Sequence, residues 1–368
     1  MTAVLRWIVV GLGGLPVAAT ALSFSRSPHW SVRMWDFPRL QLAVVAALSG
    51  AAYGVFFFDG HALEWLFVAA LVACLVYQGR KVFPYTPLAR VQVQRSTRPK
   101  NDRTCFRLLI SNVLMENDQH ERLAQVVRDA KPDIALLVEV NDKWARALEP
   151  LAAEFPHVIR HPQENYYGLL LLSRFPLVGP RVDFLVQDDI PSVHTGFELP
   201  DGTVVLLHGL HPRPPEPVRD QDSTPRDAEL VVVGRAIGES DEEPTVVAGD
   251  LNDVAWSRSS ELFLRLSALL DPRVGRGLYN SYNAKNFLFR YPLDHVFHSG
   301  HFRLVSLERL PYVGSDHFPM LVELSYEPEA VRRQQPMPER PEDTEVAEEM
   351  LEEQAEAAAT GDDRPGRE

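Results

Sequence analysis

The sequence predicts a layered α/β domain carried on a helical membrane segment, and three observations point there. Between about residues 104 and 325, helix and strand signals alternate, and the strands read as near-continuous apolar runs, as in sheets covered on both faces. Those runs stop repeatedly at Asn, Asp, Glu or His, as in TVVAGDLN (245–252), which places one polar site at a sheet rim. Ahead of them, residues 1–81 hold long stretches without charge.

The uncharged stretches are 7–25 and 40–58, each 19 residues long, and 62–79, broken only by Glu64. Spans of this length cross a hydrocarbon core of about 30 Å. Asp59-Gly60-His61 supplies the turn of a helical hairpin. A signal peptide ending at Ala19-Thr20-Ala21 is the rival reading of the first stretch. Arg26, Arg33 and Arg39 follow the first span and Arg80 and Lys81 the third, against Arg6 alone on the other side. The positive-inside rule then gives a multi-pass protein of the cell membrane whose large domain is cytoplasmic.

Residues 82–103 read as a linker containing Pro and Arg. The globular domain, 104–326, opens with a strand at 105–111. Asp118, with Glu121 three residues on, is expected to cap a helix that buries Leu123, Val126 and Val127 before Pro132 stops it. Further strands are expected at 134–139, 168–173, 203–210, 245–250, 293–298 and 319–324, and a helix from Thr224-Pro225 through Val233, where Pro suits the first turn. The domain carries enough apolar strand to close its core without the helices.

The net charge is -13, unevenly spread. The first hundred residues hold ten Lys and Arg against three acids, and 327–368 hold five against fourteen, leaving the middle acidic. Such a domain is a poor footprint for extended duplex nucleic acid, which needs a basic surface. The Glu/Ala/Pro-rich tail, 327–368, has too few large apolar residues to offset ordering entropy and is expected to be disordered, with transient helix at 345–359. Cys74 and Cys105 make no disulfide framework and no zinc spacing.

Oxygen-rich clusters with one or two His suit a hard divalent cation and phosphoester chemistry. In order they are LLISNVL (108–114), DIALLVEV (133–140), YGLLLLSRFPL (167–177), VVLLHGLHPRPP (204–215), VVAGDLND (246–253), YPLDHVF (291–297) and VGSDHFP (313–319). In this order over some 220 residues, they resemble the endonuclease/exonuclease/phosphatase superfamily, with its deoxyribonuclease I-like fold. The combination with an apolar segment is similar to bacterial membrane-anchored members.

The resemblance implies a four-layered α/β sandwich with the site along one edge. It also implies Mg²⁺, with Mn²⁺ as substitute, held by Glu139, Asn112 and Asp316. The superfamily often has an acid two residues after this Asn, where Leu114 stands here. Asp250 matches the acid that orients or deprotonates the attacking water, and Asn252 the amide on a phosphoryl oxygen. His317 matches the His on the scissile phosphate and Asp294 its carboxylate partner, which fixes the tautomer and raises basicity. The His at the end of the fourth strand is matched by His211, just before PRPP, or by His208 within the apolar run; His211 is favoured and His208 then reads as structural. Tyr167 and Arg174 match substrate-binding positions near the cleft, and also suit ordinary packing roles. The expected activity is metal-assisted hydrolysis of a phosphodiester or phosphomonoester, with nucleic acid, a phospholipid head group or a small phosphoester as substrate. The lipid bilayer is the other partner, and no protein partner is expected. The rival from another class is a catalytically decayed scaffold tethered to the membrane.

Overall fold

The computed structural model describes residues 2–99, 102–217, 221–240 and 243–360. Three long apolar helices come first: α1 (Thr2–Leu22), α3 (Arg39–Phe56) and α4 (Ala62–Val82), with a short α2 (Trp30–Arg33) between the first two. By length and composition each long helix suffices to cross a membrane. Glu64 closes the hairpin turn by accepting from the backbone N–H groups of Asp59, Gly60 and His61, and it pairs with Arg6 at 2.5 Å.

The rest is a mixed α/β fold built on two sheets. Its strands are β1 (Cys105–Asn112), β2 (Ile134–Val138), β3 (His157–His161), β4 (Leu169–Ser173), β5 (Leu177–Asp183), β6 (Ser192–Glu198), β7 (Val204–Leu210), β8 (Thr245–Asp250), β9 (Asp294–His298), β10 (Phe302–Arg309) and β11 (Met320–Tyr326). One sheet runs β10-β11-β1-β2-β4-β3 and the other β5-β6-β7-β8-β9. The main core lies between them, with Ile110, Leu136 and Val322 from one sheet meeting Leu207, Val246 and Val296 from the other.

Helices cover both outer faces, which makes four layers. The amphipathic α5 (His120–Ala130), with α6 (Asp142–Ala147) and α7 (Glu149–Ala152), puts Leu123, Val127, Trp144 and Leu151 on the first sheet. On the second sheet, α8 (Thr224–Glu239) and α9 (Arg258–Ser267) bring Leu230, Val233 and Phe263 against Val247 and Phe297. Burial of this kind contributes about 25 cal/mol per Å² of apolar surface.

Three expectations change here. Asp118 does not cap α5, whose N-cap is Gln119; Asp118 instead pairs with Lys143. In the acidic tail, the segment 345–359 expected to be transiently helical lies in a packed helix. α10 (Asp343–Thr360) buries Val346, Ala347 and Met350 against α8 and α9, and Arg265 holds Asp343 through Nε at 2.7 Å. A few well-spaced apolar side chains and one buried ion pair suffice when a preformed helical face receives them. Residues 361–368 of that expectation lie outside the described residues.

Finally, the segments flanking the long helices are packed into the domain. The Trp256 indole donates to the Asp36 carbonyl at 2.7 Å, and the Tyr85 hydroxyl to the Ala255 carbonyl at 2.7 Å. Lys81 pairs with Glu261 at 2.8 Å, and Val93, in the expected linker, is fully buried in the main core.

Candidate active site

Strand direction gathers the polar residues. β1 and β2 run parallel, as do β7 and β8, so their C-terminal ends share one edge of the sandwich. Asn112 ends β1, Glu139 follows β2, His211 follows β7 and Asp250 ends β8. β9 runs antiparallel to β8, and its first residue, Asp294, sits opposite Asp250 in register. β11 runs antiparallel to β1, so Asp316 and His317, just before it, reach the same edge.

The backbone there is unusual. Glu139 and Asn252 have φ of +63° and +52°, values uncommon for non-glycine residues and concentrated at functional sites. Gly249, φ +146°, brings β8 against β7; a Cβ there would lie 1.9 Å from the Leu210 carbonyl oxygen.

Asn112 bridges two carboxylates. Its Nδ2 donates to Glu139 Oε1 at 2.6 Å and to Asp250 Oδ2 at 3.0 Å, while its Oδ1 accepts from the Leu114 N–H. Glu139 Oε2 accepts from the Met115 N–H, and Asp250 Oδ1 from the Asn252 N–H. His317 Nδ1 bonds Asp294 Oδ2 at 2.7 Å, and its Nε2 lies 3.5 Å from Asp250 Oδ2. His211 Nε2 is 3.8 Å from the same oxygen.

The charges are unevenly matched. Burial raises Glu139 to about 7; the Asn112 bond and His317 oppose the rise, and the nearby Asp316 and Asp250 add to it. Burial also raises Asp250, against the pull of His317. Burial pushes His317 down, but Asp250, Asp294 and Asp316 outweigh it and hold the imidazole near 10, so it is an imidazolium at neutral pH. Burial lowers His211 to about 4, leaving it neutral.

Asp250, Asp294 and His317 place ligand-type atoms within 4.8 Å of one another. Asp294 occupies His317 Nδ1, and the bond fixes the ring's tautomer. The oxygens of Glu139, Asp250 and Asp316 remain. Clustered carboxylate oxygens are the donor set a hard divalent cation fits.

Tyr167 reaches the site, its ring 5.3 Å from that of His211. Arg174 does not. It follows Ser173, which pairs with Ile134 at the opposite end of β2 from Glu139. There its Nε donates to the Pro132 carbonyl and its guanidinium covers the Phe155 ring. A residue at the C-terminal end of a strand antiparallel to β2 is carried to the far edge, so Arg174 is a packing residue. His208 lies within β7 and bonds His194 Nδ1 at 2.7 Å, away from the cluster.

Several supporting residues were not legible in the sequence. The Tyr282 ring packs 4.9 Å from His317, and Ser281 Oγ accepts from the Asp294 N–H. The fully buried Arg226 donates to the Asn252 carbonyl at 2.9 Å and is itself held by Asp227 and Asp253. Arg213 lays its guanidinium over Tyr167 and pairs with Asp189 at 2.5 Å. Only Arg213 carried a signal, standing two residues after His211 in HPRPP.

Comparison with known proteins places these residues in context. A family model described as "Endonuclease/Exonuclease/phosphatase family" matches residues 109–317. No curated protein matches the chain. Among solved structures, an endonuclease/exonuclease/phosphatase from Bacteroides vulgatus aligns with TM-score 0.50 at 17% identity, covering 61% of this chain and 100% of that one. D. rerio TDP2 complexed with a single-strand DNA product aligns with TM-score 0.50 at 14% identity, over 60% of this chain and 99% of its own. The human Nocturnin catalytic domain with bound sulfate gives 0.50 at 16%, over 66% and 99%. At these identities the likeness is one of fold.

Proposed function

The chain belongs to the endonuclease/exonuclease/phosphatase family, whose members are hydrolases of phosphoester bonds, and from that premise we propose a membrane-anchored phosphoesterase that works by in-line attack of water. The observation that carries this reading is the His317–Asp294 bond at 2.7 Å beside Asp250, Asn112 and Glu139 at one sheet edge. A decayed scaffold has no need of a buried imidazolium flanked by carboxylates.

Glu139 and Asp316 would hold Mg²⁺ or Mn²⁺, with Asn112 keeping Glu139 and Asp250 apart and in place. When bound, such a cation supplies Lewis-acid charge on the phosphoryl oxygens. Asp250, with one oxygen fixed by the Asn252 N–H, positions the water and takes its proton. His317 donates from Nε2 to a phosphoryl oxygen, and its charge, kept by Asp294, offsets the charge that grows there. Asn252 uses one amide hydrogen on the Pro212 carbonyl and has a second for the phosphate. His211, neutral and braced by Tyr167, donates without adding charge. Phosphoryl transfer depends chiefly on such positioning and preorganised charge. No Ser or Cys is required as a covalent nucleophile.

The three long helices anchor the enzyme, and the excess of basic residues at their domain-side ends favours a cytoplasmic domain. The test is hydrolysis of bis(p-nitrophenyl) phosphate by the full chain in detergent. Turnover that needs Mg²⁺ or Mn²⁺, stops with EDTA and falls by orders of magnitude in Glu139→Gln supports the reading; a parent protein without turnover refutes it.

A further inference from the structure

Three large apolar side chains stand out on the catalytic domain. Phe287, Leu288 and Phe289 are 74%, 58% and 51% exposed, more than any other large apolar residue of 104–326 among the described residues. They are consecutive, on a single-turn 3₁₀ helix, Phe287–Phe289. Isolated exposed apolar residues need no explanation, but three together on a protruding turn mark a contact surface.

Their position says what covers them. Gln41, in the first turn of α3, donates from Nε2 to the Leu288 carbonyl at 2.6 Å. Leu40 and Val44 of α3, 48% and 50% exposed, lie on the helix that this turn touches. Phe37, just before α3, packs edge-on against Tyr291, just after the turn, with ring centroids 5.5 Å apart. The turn therefore stands level with the point where α3 would enter a bilayer, and its apolar surface continues that of a spanning helix.

The same loop borders the catalytic edge. The Ala284 N–H donates to the Asp316 carbonyl at 2.6 Å, and Tyr282 forms a backbone bridge with His317. Between turn and cleft lie cations. Arg290 and Arg309 both set their guanidinium groups over Phe318, the neighbour of His317, at 4.9 and 4.6 Å, and Lys285, in the same loop as the turn, is exposed. Apolar side chains that dip below the head groups, with cations behind them, match an anionic leaflet.

We propose that the Phe287–Phe289 turn enters the leaflet that receives the first turn of α3, so that the cleft opens at the bilayer surface and its substrate is the headgroup phosphoester of a membrane phospholipid. The substrate part rests on the phosphoesterase reading above; the insertion does not. Hydrolysis there breaks one P–O ester bond: the water oxygen joins phosphorus, and a proton ends on the departing alcohol.

The test uses the full chain in vesicles of phosphatidylcholine and phosphatidylglycerol. In a Cys105→Ser background, Phe287→Cys carries an environment-sensitive fluorophore, with Phe184→Cys, on the same domain, as control. Quenching by spin-labelled lipid and shielding from aqueous iodide at 287, with the reverse at 184, is expected. Iodide quenching as strong at 287 as at 184 overturns the insertion. In parallel, Phe287→Ser with Leu288→Ser and Phe289→Ser should cut phosphatidylglycerol hydrolysis about tenfold, while bis(p-nitrophenyl) phosphate turnover stays at the parent level and reports a folded site. Parent turnover of the soluble ester without any hydrolysis of the vesicle lipid, or equal lipid hydrolysis by both proteins, overturns the substrate assignment. Loss of soluble-ester turnover in the parent itself strikes the phosphoesterase reading, and the fluorophore still decides the insertion.

Discussion

Replacing Asp294 with Asn removes a charge and leaves the shape. His317 is held near 10 against an ordinary value of 6.5, although burial works the other way. That lift favours the imidazolium by about 5 kcal/mol. It comes from Asp250, Asp294 and Asp316, of which Asp294 is the one in direct hydrogen-bond contact, at 2.7 Å. Losing one charge-assisted hydrogen bond costs about 1.5–3 kcal/mol, or a loss of about 10- to 100-fold in kcat/KM if the imidazolium contacts the transition state. The pH profile carries the sharper readout. In the parent, activity that needs protonated His317 persists below its folded pKa and falls as pH rises through about 10. In Asp294→Asn that alkaline limb should move toward neutrality, because burial then acts with less opposition. Steady-state rates between pH 6 and 10.5 check this. An unchanged rate with an unchanged alkaline limb would refute the role given to the Asp294–His317 pair.

Three further outcomes follow from named contacts. Glu139→Gln should abolish the metal dependence of turnover and weaken Mn²⁺ binding at least tenfold by titration, because a neutral amide replaces a carboxylate beside Asp250 and Asp316. Glu229 is buried in α8 with Oε1 unpartnered among the described residues, and burial raises it to about 8 from 4.5. The folded state thus keeps a proton that the unfolded chain releases, and stability falls as pH rises from about 4.5 to 8, so Glu229→Gln should melt higher than the parent at pH 8 and level with it at pH 5. Deleting residues 1–82 should give a domain that melts well below the full chain in detergent, since it removes the partners of Trp256, Asp227 and Glu261; equal melting temperatures would show that the docking contributes nothing.

The clustering of the candidate site was legible because its residues end strands. A carboxylate or imidazole that terminates an apolar run sits at a sheet rim whatever the details of packing, and the parallel pairs β1–β2 and β7–β8 bring four such ends together. Most interior strands, buried on both faces, were legible for the same reason, whereas the buried β6, SVHTGFE, has no continuous apolar run and was not. Of the edge strands, β9 was legible but β3, β5 and β10 were not: they carry Arg, His, Glu or Asp on more exposed faces and lack the apolar run that marks a covered strand. Arg174 shows the limit of reading by position in a motif, since its neighbours lie at the correct edge in sequence while the antiparallel direction of β4 carries it to the other. Arg226 was invisible because its function lies in a contact with a backbone carbonyl 26 residues away.

The packing of the tail and the linker was not legible in composition, and for one reason. Composition measures whether a segment can bury enough surface on itself, and neither 82–103 nor 343–360 can. Both instead complete surfaces that other elements leave open. Val93 fills the main core between the sheets, and the short apolar stripe of α10 seals α8 and α9. The same logic joins the long helices to the domain. Arg33 meets Asp227, and Asp227 holds the Arg226 that fixes the Asn252 carbonyl, so a chain of buried charge runs from the loop between the first two long helices to the catalytic edge. With the long helices in a bilayer, as proposed, that chain would hold the cleft at a fixed height and angle above it.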